Sequence, residues 1–397
     1  MTNRVVHITT SIGRESFGLG QVAVNLAKAQ NDLACDAHIW CQNSADQIDR
    51  AIALPGLARN KVRGFPRRGP SRLRFSLAML SAARSDGGGF DVVHQHGIWT
   101  ACSHASNTLR QVHRLPIVVA PHGSLQKWAL KRSPWKKRLA LLAYEQENLH
   151  RAACLHATAE AEVADFRDYG LQNPIAVVPN GVSETWLESC GDGDRFRQQH
   201  AIPPDRRLLL FLSRITPKKG LPLLLEAVDC VRDAFSGWLL VIAGMDEFGH
   251  LQEVEALVAK LNLQDSVRFV EPLYDQTKRD AFAAADAFVL PSYSEGAPMV
   301  VLDCLATAVP VITTQGTPWQ SLLVWECGWW VEVSRDGIAQ ALQSMLSLSR
   351  DQLYAMGQRG LELVRSQYLW RTEGQKTLDL YEWLLGRQAK PDFVIID

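Results

Sequence analysis

Two carboxylates, Glu295 and Asp303, stand eight residues apart in PSYSEGAPMVVLD (291–303). The residues around them, AFVLPS (287–292), read as a buried parallel strand, and PMVVLDCLATA as the helix that follows. Pro298 suits the first helical turn, where its missing N–H costs nothing. A helix that begins there offers free backbone N–H groups and a positive dipole end, a setting for phosphate oxygens. Glu295, just before the helix, can accept hydrogen bonds from sugar hydroxyls, and Asp303 can bind a diol such as a ribose. The plainer alternative has Glu295 capping turn amides and Asp303 as a solvated helix residue.

A second stretch favours the chemical reading. LFLSRITPKKG (210–220) puts Arg214 at the end of an apolar strand and Lys219 five residues later, before Gly220 and a helix. Two cations at a strand end beside a helix start can clamp a diphosphate, whereas one basic loop residue alone is ordinarily solvated.

Together these stretches resemble the retaining glycosyltransferases of family 4. SRITPKKG resembles the family's S-R-x-x-x-x-K-G phosphate loop. PSYSEGAPMVVLDCLATAVPVITT resembles its P-S-x-x-E-G-x-P-x-x-x-L-E-A-x-A-x-G-x-P-V-I strand–helix–strand. The run PHGSLQKWALKRSPWKKRLALLAYEQENLHRAACLHATAEAE (121–162) and VVPNGV (177–182) are also similar to that group, in particular to bacterial exopolysaccharide and cell-surface polysaccharide enzymes. The resemblance covers nearly the whole chain. It implies that Arg214 and Lys219 hold a donor diphosphate, and that Glu295 contacts the transferred sugar with the amides of Gly296, Ala297 and Met299. It implies also that His122 touches that sugar near its hydroxymethyl group or reacting centre. The family's second glutamate is Asp303 here, and its helix glycine is Ala308.

Other candidates lie in the first half. Gly18-Leu19-Gly20-Gln21-Val22-Ala23 matches G-x-G-x-x-A, but a nicotinamide fingerprint needs its first glycine directly after the strand, and here nearly ten residues separate Thr9 from Gly18. In the glycosyltransferase reading, Gly18 and Gly20 let the backbone approach the donor phosphate or the acceptor. The alternative is a glycine-rich helix start. His94 and His96 share one strand face, a spacing able to bind metal, yet no third ligand is evident. Packing or an acceptor-side contact is therefore the reading for His96, Trp99 is a further acceptor-side candidate, and no essential metal is expected. Asp192-Gly193-Asp194 resembles a D-x-D metal motif but lacks an apolar strand before it, so it reads as linker.

The elements that must position these residues are short β-branched strands alternating with helical patterns, the signature of parallel α/β layers. At 397 residues two domains are expected. The fold class expected is α/β with two similar-sized domains and a cleft between them, and the resemblance implies that this is GT-B, two Rossmann-like parallel-sheet domains facing across the cleft. They comprise an acceptor-binding domain over 1–183, a linker over 184–205 and a nucleotide-sugar-binding domain over 206–370. A C-terminal helix and tail over 371–397 are free to cross back to the first domain. The tail KPDFVIID is oddly apolar for a chain end.

Net charge is zero, but residues 1–180 hold 22 Lys+Arg against 13 Asp+Glu, and the remainder 20 against 29. The basic half should face something anionic. Its excess clusters in 61–75 and 127–142, where Trp128 and Trp135 interleave with Lys127, Lys131, Arg132, Lys136, Lys137 and Arg138. Cations beside interfacial aromatics suit an anionic membrane surface through Lys127–Arg138 and Lys61–Arg74. A solvated basic face is the alternative, and nucleic acid is not expected without a recognition motif. The eight cysteines show no C-x-x-C pair, as in a cytosolic protein, and no apolar run spans a bilayer.

The expected activity is transfer of a hexose-type sugar, with retention, from a UDP- or GDP-linked donor to an acceptor hydroxyl. No cofactor is required, and the acceptor is a lipid-linked or polysaccharide intermediate at the inner face of the cell membrane. The rival readings are a sugar-nucleotide epimerase or hydrolase of the same fold, and a donor-binding scaffold whose catalysis has decayed.

Overall fold

The computed structural model describes residues 3–396 apart from 14, 15, 17, 68–73, 132, 133 and 189. Contacts divide it into two compact units, residues 1–183 with 369–397, and residues 184–368. In the first unit the strands are β1 (Arg4–Ile8), β2 (Asp36–Cys41), β3 (Val62–Gly64), β4 (Val92–His96), β5 (Ile117–Ala120), β6 (Cys154–Ala157) and β7 (Ile175–Val177). In the second they are β8 (Arg207–Leu212), β9 (Trp238–Ala243), β10 (Val267–Val270), β11 (Ala287–Leu290), β12 (Val311–Thr314) and β13 (Gly328–Val331). A last strand, β14 (Val394–Ile395), returns to the first unit.

The sheets run β14-β7-β6-β5-β4-β1-β2-β3 and β10-β9-β8-β11-β12-β13, parallel throughout except for β14. Near-continuous burial along β4, β5, β9 and β11 is what helices on both faces require, and explains why β5, β9 and β11 are apolar runs without alternation, while β4 buries His94, Gln95 and His96. In each sheet the strand order reverses once, between β1 and β4 and between β8 and β11. Ligands in such sheets bind beyond the carboxyl ends of the strands at that reversal. Those ends carry the 9–20 loop and His96 in the first unit, and Arg214 and Glu295 in the second.

Three features differ from the sequence reading, and a fourth fills a gap in it. Residues 184–205 are not an open linker. They carry two helices, Glu184–Glu188 and Gly193–Gln199, inside the second unit. Asp192 caps the second of these through Arg195 N (2.9 Å), and the Arg195 guanidinium grips Asp280 at 2.8 and 2.6 Å, so Asp192 serves a helix start. The helix expected over Trp135–Arg151 is three pieces, Pro134–Ala140, a π-helical turn at Leu141–Glu145, and Gln146–His150. The helix after β11 spans only Met299–Leu305, and Ala308 beyond it adopts φ +56°.

The fourth feature is the tail. Val394 and Ile395 pair antiparallel with Ala176 and Ile175, and Val394 is buried, so the apolar end caps the β7 edge of the sheet. The terminal helix Trp370–Leu384 lies against Gly18–Asp32 and buries Thr377, Leu380 and Tyr381. Among the described residues no helix is long and apolar enough to cross a membrane.

Candidate active site

Beyond β8 the chain makes a short 3-10 turn, Pro217–Lys219, and Gly220 closes it with φ +69°. A Cβ at Gly220 would lie 2.1 Å from the Pro291 carbonyl, so only glycine lets the two switch-point loops touch. That approach brings Lys219 Nζ to 2.6 Å from Glu295 Oε1, with Lys218 Nζ at 3.8 Å from Oε2. Both Lys219 and Glu295 are nearly enclosed, and Glu295 is further held by its backbone N–H on Gly316 O at 2.7 Å. Burial alone would raise the Glu295 pKa, but Lys219 and then Lys218 outweigh it and hold the carboxyl below its ordinary value. An ionised acid thus sits on a buried ammonium group.

Arg214, from the same loop, pairs with Glu247 Oε2 at 2.8 Å and remains about a third exposed. Gly296, Ala297 and Met299 are half-buried and follow Glu295 into the short helix. Asp303 is 9% exposed and takes the Lys278 ammonium group, which stands 5.3 Å from the centre of the Trp186 ring. Trp186 Nε1 donates to Asp303 O at 3.2 Å, and the Arg279 guanidinium lies 4.6 Å from the same ring. Asp303 is therefore an ion-paired corner residue and not a solvated one. Its partners Lys278, Arg279 and Trp186 carry no motif, and sequence reasoning missed them.

In the first unit, Gly18 opens the Gly18–Asp32 helix ten residues beyond Ile8. A Cβ on Gly20 would fall 2.7 Å from Ile12 Cα and 2.0 Å from Ser16 Oγ, so this glycine lets the chain's own loop pack, and the space beside it is already filled. His122 follows β5 with φ +51°, half-buried, its Nε2 3.2 Å from His96 Nδ1. His96 is 2% exposed and both its nitrogens are engaged, the other by His7 Nδ1 at 2.9 Å. It stands behind His122 and offers no nitrogen to an acceptor. Trp99 is also committed inward. Its backbone N–H donates to Glu145 Oε2 at 2.7 Å and its indole N–H to Ser124 O at 3.3 Å. Burial pushes the Glu145 carboxyl up to about 7, against hydrogen bonds from Asn148, Trp99 and Ser103 that favour its ionised form.

The third histidine that the sequence did not reveal is His7, opposite His94 in the β1–β4 register. Nitrogens of His7, His94 and His96 lie within 4.8 Å of one another, close enough for a metal ion. His156 joins from β6 through His94 Nε2 at 3.1 Å. Burial drives His7 and His156 down to about 4, and His94, His96 and His122 well below the usual imidazole range, so the cluster is neutral at physiological pH. The spacing of His94 and His96 was legible; that β1 lies beside β4, with β6 one strand further on past β5, was not.

Of the basic clusters, Lys61 pairs with Asp36, and Arg63 with Asp86 while lying over Phe65. Residues 68–73 and Arg132 lie outside the described residues. Trp135, Leu139 and Leu142 are 62%, 59% and 79% exposed beside Lys136, Lys137 and Arg138.

Residues 192–362 match the family model described as Glycosyl transferases group 1, and residues 17–181 that of a Glycosyl transferase 4-like domain. With the two Rossmann-like units, these matches place the chain in the group 1, family-4 glycosyltransferases of GT-B fold, enzymes that use nucleotide sugars. It is 28% identical over 327 residues to D-inositol 3-phosphate glycosyltransferase 2 of Catenulispora acidiphila, covering 76% of this chain and 74% of that one. It is 25% identical over 403 residues to the GDP-mannose:cellobiosyl-diphosphopolyprenol alpha-mannosyltransferase of Komagataeibacter xylinus, covering 97% and 94%. Among solved structures, sucrose-phosphate synthase of Thermosynechococcus elongatus aligns with TM-score 0.79 at 19% identity over 97% and 100% of the two chains. Anabaena HepE in complex with UDP and glucose aligns with TM-score 0.75 at 15% identity over 95% and 99%. These two likenesses concern the fold.

Proposed function

We propose that this glycosyltransferase moves a hexose, with retention, from a UDP- or GDP-linked donor to a hydroxyl of a lipid-linked saccharide. The observation that carries the donor half is the buried Lys219–Glu295 pair at the switch-point ends of β8 and β11, with Arg214 on the same loop as Lys219. As the bond to the anomeric carbon breaks, negative charge grows on the departing diphosphate. Arg214 and Lys219 stabilise it, supplying the positive charge that makes an essential metal unnecessary. Glu295 then accepts hydrogen bonds from the sugar, with the amides of Gly296, Ala297 and Met299 assisting. Asp303, steadied by Lys278, takes the ribose, and His122 a sugar hydroxyl. The acceptor hydroxyl attacks on the face the nucleotide leaves.

The acceptor class rests on the near full-length likeness to a relative named for a diphosphopolyprenol-linked acceptor. The exposed Trp135, Leu139 and Leu142 beside three cations suit the anionic surface where such an acceptor resides, which would hold the enzyme peripherally at the inner face of the membrane.

Thermal stabilisation by UDP, GDP, ADP and NAD at matched concentration tests the donor site. A ligand at about 100 times its dissociation constant adds roughly 2.7 kcal/mol. Stabilisation by UDP or GDP, lost in Arg214→Ala or Lys219→Ala, is expected. A shift with NAD alone would overturn the site.

A further inference from the structure

Five histidines of the first unit, His7, His94, His96, His122 and His156, present ten ring nitrogens. Nine of them have hydrogen-bond partners, and among the described residues Nδ1 of His122 has none. A neutral imidazole has one donor nitrogen and one acceptor nitrogen, so each bond dictates the next.

The order begins at a carbonyl, which only accepts. His156 Nε2 must donate to Val178 O at 2.7 Å, leaving His156 Nδ1 as acceptor for His94 Nε2–H at 3.1 Å. His94 Nδ1 then accepts from the Tyr381 hydroxyl at 2.6 Å. Tyr381, having spent its proton, accepts from Gln30 Nε2 at 3.1 Å. Thr377 has likewise given its proton to Gly374 O, and accepts from the same amide at 2.9 Å. The Gln30 amide can therefore face only one way, with Oε1 toward His7 Nε2 at 2.8 Å. His7 donates there and accepts at Nδ1 from His96 Nε2–H; His96 accepts at Nδ1 from His122 Nε2–H. Every link closes without a conflict.

We propose that this relay fixes His122 as the Nε2–H tautomer, so that its Nδ1 stands as a hydrogen-bond acceptor for a hydroxyl of the donor sugar. Gln30, Thr377 and Tyr381 are its positioning residues. The role of the acceptor atom rests on the proposed function above, and the tautomer itself does not. A reversed link would set two lone pairs or two N–H groups face to face in a dry interior, which keeps the other tautomer to roughly one part in ten or less. A metal on His7, His94 and His96 would have to displace several of these bonds, each already complete.

The test is long-range 1H–15N correlation on protein carrying 15N-histidine, with N–N couplings read across the hydrogen bonds. The expected result is Nε2–H in all five rings, with couplings from His122 Nε2 to His96 Nδ1 and from His96 Nε2 to His7 Nδ1. Nδ1–H at His96 or His122, or loss of these couplings on adding stoichiometric zinc with shifts at His7, His94 and His96, would overturn the relay.

Gln30→Met then removes the anchor without touching His122. Both His122 tautomers should appear in comparable amounts, and because only one of them accepts from the sugar, affinity for UDP-glucose or GDP-mannose should fall about two-fold while affinity for the matching nucleoside diphosphate holds. In a His122→Asn background, where the amide oxygen accepts without a relay, Gln30→Met should cost nothing further. An equal loss in both backgrounds would reduce Gln30 to packing and overturn its positioning role. If Gln30→Met does not fold, Tyr381→Phe together with Thr377→Val removes both acceptors that orient the Gln30 amide. Intact couplings with sugar affinity indifferent to His122 would support the relay and overturn the sugar contact.

Discussion

Glu295 illustrates how one side chain serves stability and chemistry together. Its carboxylate neutralises a buried Lys219, and taking away one member of such a pair costs about 3–5 kcal/mol. Glu295→Gln should lower the unfolding temperature accordingly. Because a bound diphosphate would return negative charge to Lys219, stabilisation by UDP or GDP should be larger in this variant than in the parent. Calorimetric scans with and without nucleotide check it, and an equal increment would separate Lys219 from the phosphate. Asp303→Glu, the family-like residue, should change nucleotide affinity by less than about three-fold, because Asp303 is already oriented by Lys278. A large gain by titration calorimetry would instead support a decayed site. Both acids were legible in the sequence as site candidates; that each carries a lysine partner was not, since Lys278 lies 25 residues away.

At the scale of elements, the short helix after β11 ends where Ala308 turns left-handed, the position at which the family has glycine. A left-handed non-glycine residue costs about 1–2 kcal/mol, partly offset by the greater freedom of glycine in the unfolded chain. Ala308→Gly should raise stability by about 0.5–1 kcal/mol, seen as a higher urea midpoint with unchanged slope. The sequence predicted the turn and overran the helix, because the apolar run continues through Leu305 and Ala306 while only backbone angles mark the end. The tail shows the converse. Val394 covers the β7 edge, so Val394→Asp should destabilise by about 2–3 kcal/mol in denaturant titration. The apolar tail stood out in the sequence without an account, because its partner strand lies more than 200 residues upstream.

For the whole molecule, the histidine cluster sets the response to acid. Its five pKa values are depressed, so the folded chain stays neutral where the unfolded chain takes up protons. Stability is complete above the unfolded value near 6.5 and falls as pH drops toward 4, by up to about 1.4 kcal/mol per group per pH unit. Glu145, Glu162 and Glu373 have raised values and act in the opposite sense over part of that window, but they are three against five. The unfolding temperature should therefore decline steadily from pH 6.5 to 4.5. A flat profile would mean that the rings are already protonated in the folded state.

The sequence by itself determined the alternation of strands and helices and the loops that carry Arg214, Lys219, Glu295 and His122, because these depend on local periodicity, on turn-forming residues and on contiguous motifs. It also exposed the departures at Asp303 and Ala308. Only the tertiary structure decided which side chains meet: Lys219 with Glu295, Lys278 with Asp303, and His7 with His94 and His96. A parallel sheet joins strands far apart in the chain, and pattern fixes which face a residue occupies but not which strand lies beside it. The conversion of 184–205 from linker to packed helices has the same cause, since Arg195 finds Asp280 85 residues away.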